Sequence, residues 1–174
     1  TKFEELVEAL ETSHGPRHVV VHEIAPSKQD PHNITRFLAD GGIGRVWIAD
    51  DIHLGREVVL KQLLPQSSEN TTSRARFVNE AQITGQLQHP NIVPVYSMDW
   101  DHDDLPYYTM RYIRGETYSD RIRTLHDQPP LDFRSPEFLQ IVEEFIFICN
   151  AVSYAHSRNI IHCDLKPENV LIRQ

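Results

Sequence analysis

A segment near the end of the sequence, His-Cys-Asp-Leu-Lys-Pro-Glu-Asn at 162–169, contains three groups that phosphoryl transfer requires. Asp164 can accept the proton of an attacking hydroxyl, Lys166 provides a cation for the transferred phosphate, and Asn169 offers an oxygen ligand for Mg²⁺. All three lie within six residues. A polar loop that merely follows a buried helix would not be expected to have this arrangement, so we interpret the segment as a catalytic loop.

A lysine inside an apolar run is the second candidate. Lys61 ends the run Val-Val-Leu-Lys at 58–61, where an ammonium group needs a partner. The predicted helix that follows carries Glu80 on the same face as Phe77 and Leu87. Taken alone, each charge is typical of a solvated surface. Taken together, they predict an ion pair between Lys61 and Glu80.

A glycine-rich segment, Ala-Asp-Gly-Gly-Ile-Gly-Arg-Val at 39–46, lies between two predicted strands. Glycines there let backbone N–H groups approach phosphate oxygens without interference from a Cβ atom. By itself this pattern is more often a simple hairpin turn. Because a strand rather than a helix follows the glycines, the pattern differs from the dinucleotide-binding fingerprint.

The hydrophobic pattern predicts the elements that must position these residues. Strands are predicted at 34–39, 45–49, 57–63, 93–100 and 107–113, and helices at 2–11, 73–88 and 117–126. Ser73 is the predicted N-cap of the second of these helices. A long helix at 136–157 is expected to begin after Ser135 as N-cap and, being apolar around most of its circumference, to be buried.

Composition narrows the class of protein. The 174 residues carry a net charge of −8, which argues against a nucleic-acid partner. The two cysteines are too few for a disulfide framework, so a reducing, cytoplasmic compartment is expected. The longest strongly apolar stretch, around Phe145 to Val152, is far shorter than the roughly 20 residues of a membrane span, so no membrane segment is predicted in this chain.

In their order along the chain, these motifs resemble the protein kinase superfamily, in particular the eukaryotic-like serine/threonine kinases of bacteria. The resemblance covers about residues 34–174 and includes His-Pro-Asn-Ile-Val at 89–93 and the serine/threonine-type Lys-Pro-Glu-Asn at 166–169. It implies an α+β fold, in which a five-stranded antiparallel sheet and the helix called αC form a kinase N-lobe, followed by the beginning of a helical C-lobe. The implied domains are an extension at 1–33, the N-lobe at 34–110, a hinge at 111–116, and a partial C-lobe at 117–174 with αD, αE and the catalytic loop.

The resemblance also assigns roles. ATP and Mg²⁺ are the implied cofactors, and a protein Ser or Thr hydroxyl is the implied acceptor of the γ-phosphate. Asp164 resembles the catalytic base, Asn169 a magnesium ligand, and Lys61 the α/β-phosphate ligand held by Glu80. The complete implied ATP site comprises Ala39, Gly41, Gly42, Gly44, Val46, Val59, Lys61, Glu80, the gatekeeper Met110, and the hinge residues Arg111, Tyr112 and Ile113.

Two residues depart from the family's pattern. Ala39 replaces the first loop glycine, and we expect at most a tuned nucleotide affinity, because the closest approach to phosphate belongs to the later glycines. Cys163 stands where most relatives have an arginine that pairs with a phosphate on the activation loop. Our hypothesis is that this kinase is not switched on through that pairing.

The sequence stops at Gln174, before any Asp-Phe-Gly motif. In the family the aspartate of that motif binds Mg²⁺. We therefore expect the 174-residue chain on its own to be catalytically incompetent, with weak ATP binding. We also expect the apolar helix at 136–157 to drive self-association, because the family buries it under later helices.

Two other functions stay open at the level of sequence. One is a pseudokinase or scaffold module that binds partners, which the altered His-Cys-Asp and the absent metal-binding aspartate favour. The other is a small-molecule phosphotransferase of the aminoglycoside or choline kinase type, which shares the fold and the His-x-Asp…Asn loop. The Lys-Pro-Glu-Asn and His-Pro-Asn-Ile-Val segments favour protein substrates over the latter.

Overall fold

A five-stranded antiparallel sheet forms the body of the N-terminal half. The computed structural model describes residues 31–127 and 132–173, so the predicted helix at 2–11 lies outside the described residues. The strands lie in the spatial order β1-β2-β3-β5-β4. Their bounds are His32–Asp40 for β1, Gly44–Asp51 for β2, Arg56–Leu63 for β3, Val95–Trp100 for β4 and Pro106–Arg111 for β5.

Two α-helices lie between β3 and β4 in the chain, and two more follow β5 in the part of the chain that the structure describes. The short α1 spans Pro65–Ser68, and α2, at Thr71–Gly85, packs on the sheet. After β5 come α3 at Tyr118–His126 and α4 at Pro136–Ser157. The strands β6, Gly115–Thr117, and β7, Leu171–Arg173, form a separate two-stranded sheet. This arrangement confirms the predicted α+β class with a kinase-like N-lobe and the beginning of a helical C-lobe.

The two faces of the sheet bury different apolar clusters, as alternation along a strand requires. The face covered by α2 buries Leu63, Phe77, Ala81 and Tyr108. The opposite face buries Ala49, Val58, Leu60 and Tyr107. The consecutive residues Tyr107 and Tyr108 therefore belong to different clusters, and only Tyr108 lies on the side of α2.

The start of α2 differs from the sequence prediction. Asn70, not Ser73, is the N-cap, because its side chain accepts hydrogen bonds from the backbone N–H groups of Thr72, at 3.0 Å, and Ser73, at 3.2 Å. Ser73 lies in the first turn, where its N–H is one of the groups to be capped. The helix consequently begins two residues earlier than predicted. It ends at Gly85 instead of residue 88.

Other boundaries shift by a few residues. The first strand begins at His32, and the predicted strands at 93–100 and 107–113 shorten to Val95–Trp100 and Pro106–Arg111. Pro94 lacks a backbone N–H and directly precedes β4, which accounts for the late start of that strand. The helix predicted at 117–126 begins at Tyr118, because Thr117 caps it by accepting a hydrogen bond from Asp120 N.

The long helix α4 begins as predicted but is not buried as predicted. Ser135 accepts a hydrogen bond from Phe138 N at 3.1 Å, which confirms this N-cap. Among the described residues, however, Leu139, Phe145 and Ile146 of α4 are each more than half exposed. Helix α3 contacts α4 through Arg121–Glu144 at 3.2 Å and Tyr118 Oη–Ile141 O at 2.8 Å, and the segment after α2 contacts Tyr154. These contacts leave the apolar residues named above exposed.

The composition of α4 also bears on membranes. An 18-residue window of α4 has a mean hydropathy of 1.3, so by length and composition alone this helix could cross a bilayer. The absence of a membrane segment stays a prediction. The core helix of a soluble protein passes the same test, so the observation is weak evidence. The Arg121–Glu144 pair instead ties α4 to its neighbour α3.

The ribbon of β6 and β7 links the segment after β5 to the end of the chain. Gly115 faces Arg173, Glu116 faces Ile172 and Thr117 faces Leu171. A Cβ atom at Gly115 would collide with the backbone carbonyl of Ile172, so only glycine fits there. Tyr118 N donates to Val170 O at 2.8 Å and continues the pairing into α3. The residues just after the catalytic loop are thereby fixed to the start of the helical part.

The N-cap of α2 gives a test of this fold. We expect Asn70→Ala to lower the free energy of unfolding by about 1 kcal/mol, because two backbone N–H groups lose their acceptor. Ser73→Ala, the matched control three residues on, is expected to change it by less than about 0.5 kcal/mol. Urea unfolding of both variants in the full-length protein measures the difference. A larger loss for Ser73→Ala would contradict the assigned cap.

Candidate active site

The register of three strands places the predicted nucleotide residues on one face of the sheet. Val46 on β2 faces Lys61 on β3, and Lys61 faces Tyr108 on β5. Val59, two residues before Lys61, faces Met110. Because directly opposed residues share a face, these five side chains line the same side of the sheet. This is also the side on which α2 packs.

The predicted ion pair between Lys61 and Glu80 is present. The Lys61 Nζ atom lies 2.6 Å from Glu80 Oε1. Glu80 stands one helical turn after Phe77 and directly before Ala81, both buried, so it emerges at the edge of the apolar face of α2. The ammonium also lies 5.9 Å from the ring centre of Phe77 and 5.7 Å from that of Tyr108, a favourable position for a cation.

A third group joins this pair. Tyr108 Oη donates a hydrogen bond of 2.8 Å to the same Glu80 Oε1 atom. Burial, and after it the charge of Glu80, raises the pKa of Tyr108 far above its usual range. Sequence analysis missed this residue, because a tyrosine in an apolar strand is normally interpreted as a residue of the hydrophobic core. The signal that could have found it is the pairing of β3 with β5, which sets Tyr108 opposite Lys61.

The glycine-rich turn lies against the same cluster. Gly41 N donates to Gly44 O at 2.7 Å and closes the turn between β1 and β2. A Cβ atom at Gly44 would lie 3.1 Å from Gln62 O, 3.2 Å from the Phe77 ring and 3.3 Å from Lys61 Cε, whereas one at Gly42 would meet nothing within 4 Å. Gly44 therefore permits the close packing of the turn on Lys61.

Ala39, which replaces the first loop glycine, lies in β1 opposite Val46 and is exposed. A side chain at an exposed strand position projects out of the sheet, away from the backbone of the adjacent strands. The expectation of at most a tuned affinity stays a prediction.

Some hydrogen-bonding groups at the end of β5 and in the residues just after it already have partners within the protein. Arg111 N donates to Pro94 O at 3.1 Å, so this N–H belongs to the pairing with the chain just before β4. The Tyr112 hydroxyl accepts a hydrogen bond from Arg36 Nη2 at 3.2 Å, which directs that side chain towards β1. Met110 packs against the cluster under α2. The roles of Met110, Arg111, Tyr112 and Ile113 at adenine stay predictions.

The three residues of the predicted catalytic loop contact one another. The Lys166 Nζ atom lies 3.2 Å from Asp164 Oδ1 and 3.1 Å from Asp164 Oδ2. Asn169 Nδ2 donates to Asp164 Oδ2 at 3.0 Å and to Asp164 O at 2.8 Å. A short 3₁₀ turn at Pro167–Asn169 folds the chain back and makes this possible. Hydrogen bonds from Lys166 and then Asn169 lower the pKa of Asp164 below its usual range.

The backbone before Asp164 has an uncommon conformation. Cys163 has a φ of 61°, in the left-handed region that residues other than glycine rarely adopt. Asp164 N donates to His162 Nδ1 at 3.3 Å across this bend. Strain of this kind is often kept at functional sites. The bend turns Asp164 towards Lys166 and Asn169, which follow it.

The site thus consists of two clusters, one on the sheet and one in the loop after α4. Within residues 31–127 and 132–173, no hydrogen bond or ion pair joins them directly. They are connected through the fold, because Gln88 N donates to Tyr154 Oη on α4 at 3.1 Å and the His89 ring lies 5.2 Å from that of Tyr154. The segment after α2 therefore contacts the helix that leads to the catalytic loop.

Comparison with known proteins decides the family. The model of the protein kinase domain matches residues 32–174. The chain belongs to the protein kinase domain family. A serine/threonine-protein kinase PknD of Protochlamydia amoebophila is 37% identical over 151 residues, which cover 84% of this chain and 15% of that protein. The PknD of Chlamydia abortus is 38% identical over 147 residues, 81% of this chain and 15% of the relative.

A solved structure supports the same conclusion. The crystal structure of the PknI kinase domain of Mycobacterium tuberculosis matches with a TM-score of 0.62 and 26% identity, over 82% of this chain and 55% of that chain. The predicted resemblance to bacterial serine/threonine kinases is thereby confirmed. This kinase chain spans about 15% of the length of the curated relatives named above.

The packing of the glycine-rich turn gives a second test. We expect Gly44→Ala to lower the free energy of unfolding by about 1–3 kcal/mol, because its methyl group displaces Phe77 or Lys61. Gly42→Ala, the control in the same turn, is expected to stay within about 0.5 kcal/mol of the wild type. Thermal unfolding of the full-length kinase measures both. Equal losses would contradict the described packing.

The electrostatics of the catalytic loop give a third test. Lys166→Met should raise the pKa of Asp164, because the hydrogen bond from the ammonium is the largest cause of its lowered value. In the wild type, Asp164 should stay ionised until the pH falls below the usual aspartate value of about 3.9. Lys166→Arg, which keeps the charge, should leave the pKa nearly unchanged. Carboxyl NMR titration follows the aspartate directly, and an unshifted pKa in Lys166→Met would refute the assignment.

Proposed function

We propose that the protein containing this chain is a serine/threonine protein kinase that transfers the γ-phosphate of ATP to protein Ser or Thr hydroxyls with the help of Mg²⁺. The observation that carries the proposal is the contact of Asp164 with both Lys166 and Asn169. A base, a cation and an oxygen ligand are the groups that this reaction needs in one place. The similarity to proteins named serine/threonine-protein kinase PknD supports the choice of acceptor.

Asp164 serves as the base. Its carboxylate is exposed and its pKa is lowered by Lys166, so the group is ionised at neutral pH and can accept a proton from an acceptor hydroxyl. As the hydroxyl oxygen bonds to the γ-phosphorus, the bond to the β–γ bridging oxygen breaks and ADP leaves. The hydroxyl proton passes to Asp164. Lys166, within 3.2 Å of Asp164, balances negative charge on the transferred group.

Lys61 serves as the phosphate anchor on the sheet side. Its ammonium is compact, partly shielded and held by Glu80, so it keeps a defined position facing the cleft. The same charge that attracts Glu80 would bind the α- and β-phosphates. The glycine-rich turn, packed on Lys61 through Gly44, would offer backbone N–H groups to the phosphates.

Asn169 fits a divalent cation through its amide oxygen. Its nitrogen donates to Asp164, which leaves the oxygen as the ligand, and neutral or charged oxygen atoms are what Mg²⁺ prefers. Residues 31–127 and 132–173 hold no group of three or more His, Cys, Asp or Glu side chains that could bind a metal by themselves. The nucleotide phosphates would therefore supply further ligands. When bound, Mg²⁺ neutralises phosphate charge.

Two further proposals concern the chain's surroundings. The free cysteines Cys149 and Cys163 are both exposed, which supports a reducing, cytoplasmic site of action for the domain. The exposed apolar residues of α4 support self-association of the isolated 174-residue chain, because an uncovered apolar face of this kind favours contact with a second copy.

Substitution in both clusters tests the proposed function. Lys61→Met and Asp164→Asn in the full-length protein should each lower phosphate transfer to a generic protein substrate by about 10²–10⁴-fold, because one loses the phosphate anchor and the other the base. Asp103→Asn, in the exposed turn between β4 and β5, is the matched control and should retain activity. Transfer of labelled phosphate from ATP is measured, and the phosphorylated amino acids are identified.

Three outcomes would contradict the proposal. Full activity of Asp164→Asn would exclude its role as the base. Phosphate on choline or an aminoglycoside but not on protein would favour a small-molecule phosphotransferase. No transfer by the unaltered full-length protein, together with intact partner binding, would favour a scaffold.

A further inference from the structure

One oxygen of Glu80 is the meeting point of two donors from the sheet. Lys61 Nζ and Tyr108 Oη both lie within hydrogen-bond distance of Glu80 Oε1, at 2.6 and 2.8 Å. We propose that Tyr108 is a positioning residue for phosphate transfer, whose hydroxyl holds the Glu80 carboxylate in place for Lys61. This inference rests on the proposed kinase function and adds a residue to its site.

Tyr108 is itself rigidly placed. The residue is 4% exposed and packs in the cluster with Leu63, Phe77 and Ala81. Its ring centre lies 5.3 Å from that of Phe77, and its strand position is directly opposite Lys61. A donor fixed by close packing loses little conformational freedom when it forms a hydrogen bond. The hydroxyl can therefore hold Glu80 more firmly than a flexible surface side chain could.

The hydroxyl stays a donor over the whole physiological range. Burial and the neighbouring Glu80 charge raise the pKa of Tyr108, because both disfavour a phenolate. A carboxylate accepts hydrogen bonds from charged or neutral donors, and a bond to a charged group is stronger than one between neutral groups. Tyr108 therefore holds the Glu80 carboxylate through a hydrogen bond without adding a charge to the cleft.

The two donors to Glu80, Lys61 and Tyr108, differ in the other interactions that the proposed function requires of them. In the proposed function Lys61 shares its ammonium between Glu80 and the phosphates, so its hold on Glu80 weakens when nucleotide binds. The Glu80 side chain is 44% exposed, so water competes for its oxygens. Tyr108 has no phosphate to bind and approaches Glu80 from the buried side. It keeps Glu80 oriented, and with it α2, while Lys61 engages phosphate.

Tyr108→Phe in the full-length kinase tests the inference. The change removes one oxygen and keeps the ring that packs on Phe77, so we expect kcat/KM for ATP to fall about tenfold while KM for the protein substrate stays unchanged. Tyr107→Phe is the matched control, because it removes the same atom from the next residue, on the opposite face of β5. We expect it to change kcat/KM for ATP by less than about twofold. Thermal unfolding of both variants is measured in parallel.

A double-mutant cycle separates positioning from a general structural effect. If the hydroxyl acts through Glu80, Tyr108→Phe added to Glu80→Ala should lower kcat/KM for ATP by less than about twofold further. An undiminished tenfold loss in the Glu80→Ala background would overturn the inference, and so would equal effects of Tyr108→Phe and Tyr107→Phe.

The Lys61→Met variant shows whether a negative result contradicts only the role of Tyr108 or the proposed kinase function as well. If it abolishes transfer while Tyr108→Phe behaves like Tyr107→Phe, the inference alone fails and the proposed function stands. If Lys61→Met retains full transfer, the proposed function fails and the inference fails with it.

Discussion

The position of the Lys61 ammonium beside apolar side chains is the constraint on which the sheet side of this domain depends. An ammonium among apolar side chains is tolerated only with a partner, and Glu80 supplies the opposite charge from α2. That requirement fixes how the helix lies on the sheet, because Glu80 reaches Lys61 only if Phe77 and Ala81 pack into the cluster beneath. Packing and charge therefore select the same position of α2.

In the predicted catalytic loop, the charged side chains are stabilised in a different way. Its residues are exposed, and they are ordered by local contacts: a left-handed residue at Cys163, a 3₁₀ turn, and side chains that return to Asp164 within five residues. Such a loop needs little burial to keep its shape, which suits a site open to a large substrate. The sheet side, in contrast, obtains its order from a packed core. Local hydrogen bonds and turns thus order the loop part of the site, and core packing orders the sheet part.

Sequence alone predicted what depends on spacing and charge. The Lys61–Glu80 pair, the order of the five sheet strands with α2, α3 and α4, and the Ser135 cap follow from apolar periodicity and from the cost of an unpaired charge. It could not predict what depends on strand register or on competition between nearby caps. Tyr108 became a neighbour of Lys61 only through the pairing of β3 and β5, and Asn70 outcompeted Ser73 because its side chain reaches two N–H groups. The exposed face of α4 depends on what packs against it, which periodicity does not report.

The ribbon of β6 and β7 has a mechanical consequence. Main-chain pairing joins residues 115–117, which follow β5, to residues 171–173, which follow the loop at 162–169, so the two stretches form one piece. Residues 112–114, between β5 and β6, are then the short covalent link between that piece and the sheet. The backbone torsion angles of these three residues therefore set the orientation of the covalent connection between the sheet and the ribbon.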